Sequence, residues 1–121
     1  RDAAHVILDE DFDACGCDVR LATDDGSRGH HGFVTDLLRQ RLTEESADII
    51  YACGPKGMLK AVADLAAEFG VRCQVSLEER MGCGVGACLV CACKIARENG
   101  DPTYKHVCKD GPVFEAKEVI F

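Results

Sequence analysis

Nine cysteines stand out in a chain of 121 residues. Cys83, Cys88, Cys91 and Cys108 follow the spacing C-x4-C-x2-C-x16-C. The first three match the plant-type ligand spacing of a [2Fe–2S] cluster. Gly84, Val85, Gly86 and Ala87 fill the first gap. Residues this small let the backbone wrap close to inorganic sulfide and aim N–H groups at it, which favours the reduced, more negative state. Zinc is the rival, since it also takes four thiolates. Zinc ribbons pair two C-x2-C knuckles, however, and this chain has one. Cys15, Cys17 and Cys73 are expected to be small buried hydrophobes. Cys93 lies two residues beyond Cys91, on the same side of a strand. It is either a competing ligand or a packed neighbour.

A second chemistry is suggested by Tyr51-Ala52-Cys53-Gly54-Pro55-Lys56-Gly57-Met58. This stretch closes an apolar strand and opens a helix, where open α/β sheets bind ligands. Gly54 permits a tight turn and the close approach of a flat ring, and Pro55 suits a first helical turn. A well-made turn with no ligand is the equal alternative. Thr23-Asp24-Asp25-Gly26-Ser27 lies at the end of an earlier strand. Asp24 and Asp25 there are placed to accept from ribose hydroxyls and to repel a 2′-phosphate. A solvated Asp-Gly turn explains the same residues. His30-His31 and the acidic run Asp9-Glu10-Asp11 read as solvated surface, and no Ser-His-Asp or Cys-His arrangement emerges from the spacing.

The elements that must position these residues alternate along the chain. Strands are expected at 18–23, 48–53 and 71–75, and helices at His5–Ala14, from Phe33 to Leu42, and at Gly57–Phe69. The last helix places Met58, Val62, Leu65 and Phe69 on one face and stops at Gly70. Strands separated by such helices imply an α/β fold with a parallel, doubly wound sheet. From residue 78 the character changes to a Gly- and Cys-rich loop. Strands at 89–96 and 104–108 follow, joined by the turn Glu98-Asn99-Gly100-Asp101-Pro102. Cys108 is expected on the second strand of that hairpin. The expected division is 1–77 as part of a nucleotide-binding domain and 78–121 as a cluster-binding module. The second part is too poor in large apolar residues to fold on its own core, so a metal centre is expected to stabilise it.

Composition narrows the function classes. Apolar residues make up 47%, charged residues 29%, and the net charge is -7. The balance is globular and excludes wholesale disorder. The negative charge argues against nucleic acid or an anionic membrane as partner. No apolar run is long enough to span a bilayer. A basic start followed by an apolar stretch is lacking in the residues given, and the cysteine count is odd. A cytoplasmic location is therefore expected, where a tight thiolate group reads as a metal site.

Together, the Asp24-Asp25 turn, Cys53-Gly54-Pro55, Ser76-Leu77-Glu78, the run from Met81 to Cys88 and the tail Cys108-Lys109-Asp110-Gly111-Pro112-Val113-Phe114 resemble one family. It is the electron-transfer subunit of class 1B dihydroorotate dehydrogenase, within the ferredoxin–NADP reductase superfamily. The resemblance implies an oxidoreductase subunit of pyrimidine biosynthesis. Electrons would pass between NAD(H), FAD and a [2Fe–2S] cluster, toward a flavin-containing dihydroorotate dehydrogenase catalytic subunit. It makes Cys83, Cys88, Cys91 and Cys108 the cluster ligands. Cys53, Gly54 and Pro55 fall on the nicotinamide side, Asp24 and Asp25 on the adenosine ribose side, and Glu78 near the flavin or nicotinamide.

The family also has a β-barrel for FAD and a first βαβ unit with a glycine-rich pyrophosphate loop, and the residues given contain neither. The chain is thus expected to be a C-terminal fragment, inactive alone, without FAD of its own and prone to self-association. The equivalent subunits of sulfhydrogenase, anaerobic sulfite reductase and NADH-dependent ferredoxin–NADP oxidoreductase are alternatives, and a zinc-binding module without redox chemistry is a remoter one.

Overall fold

A computed structural model describes residues 1–121. The chain divides into two compact units, residues 1–46 and 47–121.

The second unit is built on a βαβ crossover. Strand β3 (Ile49–Cys53) pairs in parallel with β4 (Arg72–Ser76), with Ile50 opposite Cys73 and Ala52 opposite Val75. Helix α3 (Lys56–Glu68) connects them. Pro55 caps this helix with its carbonyl accepting from the Leu59 amide at 3.0 Å, so it stands just before the first turn rather than inside it. Leu59, Val62, Leu65 and Ala66 form the buried face of α3. That face is rotated by about one residue from the expected stripe, leaving Met58 and Phe69 half-buried.

The helix ends as its sequence requires. Gly70 takes the left-handed conformation, φ +68°, and the Val71 amide donates to Ala66 O at 2.9 Å, closing a Schellman-type cap. Strand β7 (Val113–Glu115) adds antiparallel to the other side of β4, setting Phe114 opposite Val75. The sheet order is β3-β4-β7, so β3 lies at an edge. Full burial of Leu59 and Val75 stabilises this core by about 1.5–3 kcal/mol each.

Strands β5 (Ala92–Ala96) and β6 (Pro102–His106) form the expected antiparallel hairpin, with Cys93 opposite Lys105 and Ile95 opposite Thr103. Ile95 is buried, and the tail returns along this hairpin through a Val119–Ile95 bridge and the Ile120 amide on Lys94 O. Cys108 is not on β6. Pairing stops at His106, and Val107–Asp110 turns into the one-turn helix α4. The Asp110 carboxylate accepts the His106 amide at 2.7 Å and so ends the strand.

In the first unit, α1 is Asp9–Ala14, after a 3-10 turn at Ala3–His5, so the expected helix over 5–14 is split. The expected strand 18–23 pairs only at β1 (Ala22–Thr23), parallel to β2 (His30–His31). Its alternating pattern is real, but a pattern without a neighbouring strand makes no ladder. Thr23 is buried, and its hydroxyl donates to Arg28 O at 2.8 Å. Helix α2 (Val34–Glu44) begins where the Asp36 carboxylate accepts the Phe33 amide at 2.9 Å. Leu42 is buried, whereas Phe33 is exposed.

Candidate iron–sulfur and nucleotide sites

The stretch 81–90 has no helix or strand, and every side chain in it is exposed, Gly86 alone being half-covered. Burial does not specify its shape. Hydrogen bonds to sulfur do. The amides of Val85 and Ala87 point at Cys83 Sγ, at 3.5 and 3.3 Å. Those amides, with the Cys88 amide and thiol, hold the Cys83 thiol down to about 6. A thiol at that value is largely thiolate at neutral pH, which is the form that binds metal. Gly82 faces Cys88: a Cβ on it would stand 2.9 Å from Cys88 Sγ. Gly86, φ +83°, lies under the Lys109 side chain, where a Cβ would meet it at 2.9 Å. Leu89 carries a positive φ of 64°, a left-handed step between Cys88 and Cys91.

The other two thiols arrive on separate elements. Cys91 is buried just before β5, and its carbonyl accepts the Val107 amide at 3.1 Å. That bond locks the start of α4, and with it Cys108, beside Cys91. The Cys108 thiol is pushed up, first by its hydrogen bond with Cys91 and then by burial, while the Gly86 amide and nearby Cys83 also act on it. The thiols thus stand as two pairs, Cys83 with Cys88 and Cys91 with Cys108, and the charge of Cys83 reaches Cys108. They do not gather as a cage for one ion: no group of three or more His, Cys, Asp or Glu side chains does so among the described residues. Two pairs suit two irons, each taking two thiolates, better than a single tetrahedral zinc. The donor set and the glycine cradle at Gly82 thus fit a [2Fe–2S] group held by Cys83, Cys88, Cys91 and Cys108. Such a group supplies one-electron transfer.

Cys93 is buried on β5, with its thiol 3.4 Å from Lys105 O, and burial pushes that thiol up. Cys73 is buried as expected. Cys15 and Cys17 are not; both are exposed, because α1 leaves no core around its C-terminal end. Gly54, φ +155°, and Glu78 line one small cavity of about 30 Å³ together with Glu79, Cys93 and Lys94. Cys53 ends β3 in an exposed position.

Asp24 and Asp25 belong to the first unit. Asp24 pairs with the chain's amino terminus at 2.8 Å. Asp25 accepts from the Ser27 hydroxyl and amide at 2.6 and 3.0 Å, which holds its carboxyl below the ordinary value. Gly82, Lys109 and Asp110 belong to the motifs quoted from the sequence, which gave them no structural role.

Comparisons with known proteins cover both regions of the chain. The family described as the iron–sulfur cluster binding domain of dihydroorotate dehydrogenase B matches residues 78–120. The oxidoreductase NAD-binding domain matches residues 13–64. The dihydroorotate dehydrogenase B (NAD(+)) electron transfer subunit of Caldanaerobacter subterraneus subsp. tengcongensis is 49% identical over 96% of this chain and 45% of its own length. That of Bacillus caldolyticus is 50% identical over 97% of this chain and 43% of its own length. A solved structure of an NADH-dependent reduced ferredoxin–NADP oxidoreductase, studied for flavin-based electron bifurcation, superposes with a TM-score of 0.79. It shares 35% identity and covers 99% of this chain and 41% of that one. The chain spans somewhat under half the length of the curated relatives it matches. The chain thus carries a match to an oxidoreductase NAD-binding domain followed by a match to the iron–sulfur cluster binding domain of dihydroorotate dehydrogenase B, and over nearly all its length it is similar to dihydroorotate dehydrogenase B electron transfer subunits.

Proposed function

We propose that this chain is the part of an electron transfer subunit that faces NAD(H) and carries the [2Fe–2S] site. Within the longer protein it relays electrons between NAD(H), FAD and the cluster for a dihydroorotate dehydrogenase catalytic subunit. The two thiol pairs, with amides aimed at Cys83, carry this reading. The functional boundary is proposed at 77/78, supported by the matched spans on either side of it. Cys53, Gly54, Pro55 and Glu78 are proposed at the nicotinamide and flavin end, and the shared cavity of Gly54 and Glu78 supports their pairing. Asp24 and Asp25 are proposed on the ribose side.

Met81, Val85, Leu89 and Val90 are exposed around the cluster ligands, which supports a protein partner there. Self-association is proposed through the free edge of β3, whose Tyr51 is exposed. No helix is long and apolar enough to cross a membrane, and a cytoplasmic location is proposed.

A second reading is favoured by the superposition with the ferredoxin–NADP oxidoreductase: the same electron-relay parts serving a ferredoxin. The longer protein, purified with and without a dihydroorotate dehydrogenase catalytic subunit, separates the two. The first reading expects NAD+ reduction by dihydroorotate only in the complex. Reduction of NADP+ by reduced ferredoxin without that subunit supports the second and overturns the first. In the same assay NADH is expected to outperform NADPH at least tenfold, about 1.4 kcal/mol, because two carboxylates oppose a 2′-phosphate. Equal use of both would remove Asp24 and Asp25 from the ribose site.

A further inference from the structure

Seven of the cysteines are accounted for by position: four at the cluster site, Cys73 and Cys93 in the interior, and Cys53 at the end of β3. Cys15 and Cys17 are not. Both are exposed, they are separated by one glycine, and they sit in an ordered turn. The Cys15 amide donates to Asp11 O and Phe12 O, that of Gly16 to Asp13 O at 2.8 Å, and that of Cys17 to Phe12 O at 3.1 Å. Gly16 has φ +81°, and nothing lies within 4 Å of where a Cβ would stand, so reagents reach the turn freely. Around a left-handed central residue, α-carbons two apart in sequence are roughly 5–6 Å from each other, inside the span a disulfide bridges.

We propose that Cys15 and Cys17 form a surface thiol–disulfide site that exchanges with low-molecular-weight disulfides such as oxidised glutathione. One cysteine thiolate attacks the glutathione disulfide, breaking its S–S bond and releasing one glutathione thiolate. The other cysteine thiolate then attacks the protein sulfur of the mixed disulfide and releases the second. One S–S bond forms within the chain, and the two thiol protons pass to the two reduced glutathiones. Two electrons leave the protein and reduce the glutathione disulfide. The ring closed is small, so its geometry departs from the relaxed one and the bond is easily reduced, which makes it an exchanging site rather than a staple.

Its position gives it a target. Cys17 leads directly into Asp18, whose carboxylate pairs with Arg20 at 3.1 Å and lies 3.9 Å from Arg41 on α2. Closing the disulfide tightens the root of the segment that runs to β1 and the Asp24–Asp25 turn.

The test equilibrates the full chain in mixtures of oxidised and reduced glutathione, traps free thiols by alkylation and maps peptides by mass. The peptide holding Cys15 and Cys17 is expected to lose two hydrogens and both alkylation sites, and to regain them with excess reduced glutathione. In Cys17→Ser the exchange is expected to stop at a glutathione adduct on Cys15, and in Cys15→Ser at one on Cys17. Separate glutathione adducts on both cysteines of the unaltered chain would overturn the proposal. So would full alkylation of both under oxidised glutathione, or linkage of either to another cysteine.

Discussion

The βαβ core at 47–77 and the cysteine loop at 81–90 follow each other in sequence but are specified by different physics. The core buries Leu59, Val62, Leu65, Ala66, Cys73 and Val75, and its strands pair backbone to backbone. The loop buries none of its side chains, and the amides of Val85, Ala87 and Cys88 act on the sulfur of Cys83. The core holds its form by excluding water. The loop takes its form from amides aimed at sulfur. Changes in the two regions should therefore have separable consequences.

The largest expected effect is at the thiols. Serine in place of Cys83, Cys88, Cys91 or Cys108, one at a time, removes a ligand and leaves one iron with an open position. Iron and sulfide content is expected to collapse in each variant and to stay intact in Cys73→Ser, Cys15→Ser and Cys17→Ser. A fully loaded Cys108→Ser would break the pairing of Cys108 with Cys91.

Leu59→Ala acts on the other region. It removes a side chain that is 1% exposed and leaves a cavity under β3 and β4. Destabilisation of about 2–5 kcal/mol is expected by denaturant titration. Iron and sulfide per folded chain should not change. If loading fell in step with stability, core and loop would be one cooperative element.

Gly82→Ala sharpens the contrast from the loop side. The new methyl group would press on Cys88 Sγ, an overpacking cost of about 1–3 kcal/mol at the ligand. Chelator-driven loss of iron should accelerate several-fold while the melting of the core stays where it was. An unchanged rate would mean that the cradle at Gly82 has slack.

The smallest effect is at the outer edge of the sheet. Arg72 and Gln74 on β4 bond the Glu115 carboxylate on β7 and hold it down to about 2. A depressed carboxyl stabilises the fold above its ordinary value of 4.5 and loses that contribution as pH falls from there toward 2. Melting temperature followed across that window should fall more steeply in the native chain than in Glu115→Gln. Parallel slopes would show that β7 is held by Phe114 alone.

How much of this was readable from the residues follows the same division. The four cysteines singled out by spacing are the ones that stand as two pairs, and thiolate spacing is a direct chemical constraint. The βαβ unit was legible because apolar residues recur at helical and strand periods around Gly54-Pro55 and Gly70. The strand at 18–23 was overread, since periodicity says nothing about a partner strand, and only Ala22 and Thr23 find one. The hairpin pattern runs on through Val107 and so points to Cys108 as a strand residue, whereas β6 ends at His106. The competing bond from the His106 amide to Asp110, which turns the chain there, leaves no periodic trace. Cys15 and Cys17 were expected in a core by residue type, yet the exposed end of α1 offers none.

The central claim is that the two thiol pairs hold two irons and two sulfides rather than one zinc. Metal and acid-labile sulfide analysis of the anaerobically purified chain, with its visible absorption spectrum, measures this directly. The account predicts about two irons and two sulfides per chain and a coloured sample. One zinc per chain, no sulfide and no visible absorption would contradict it.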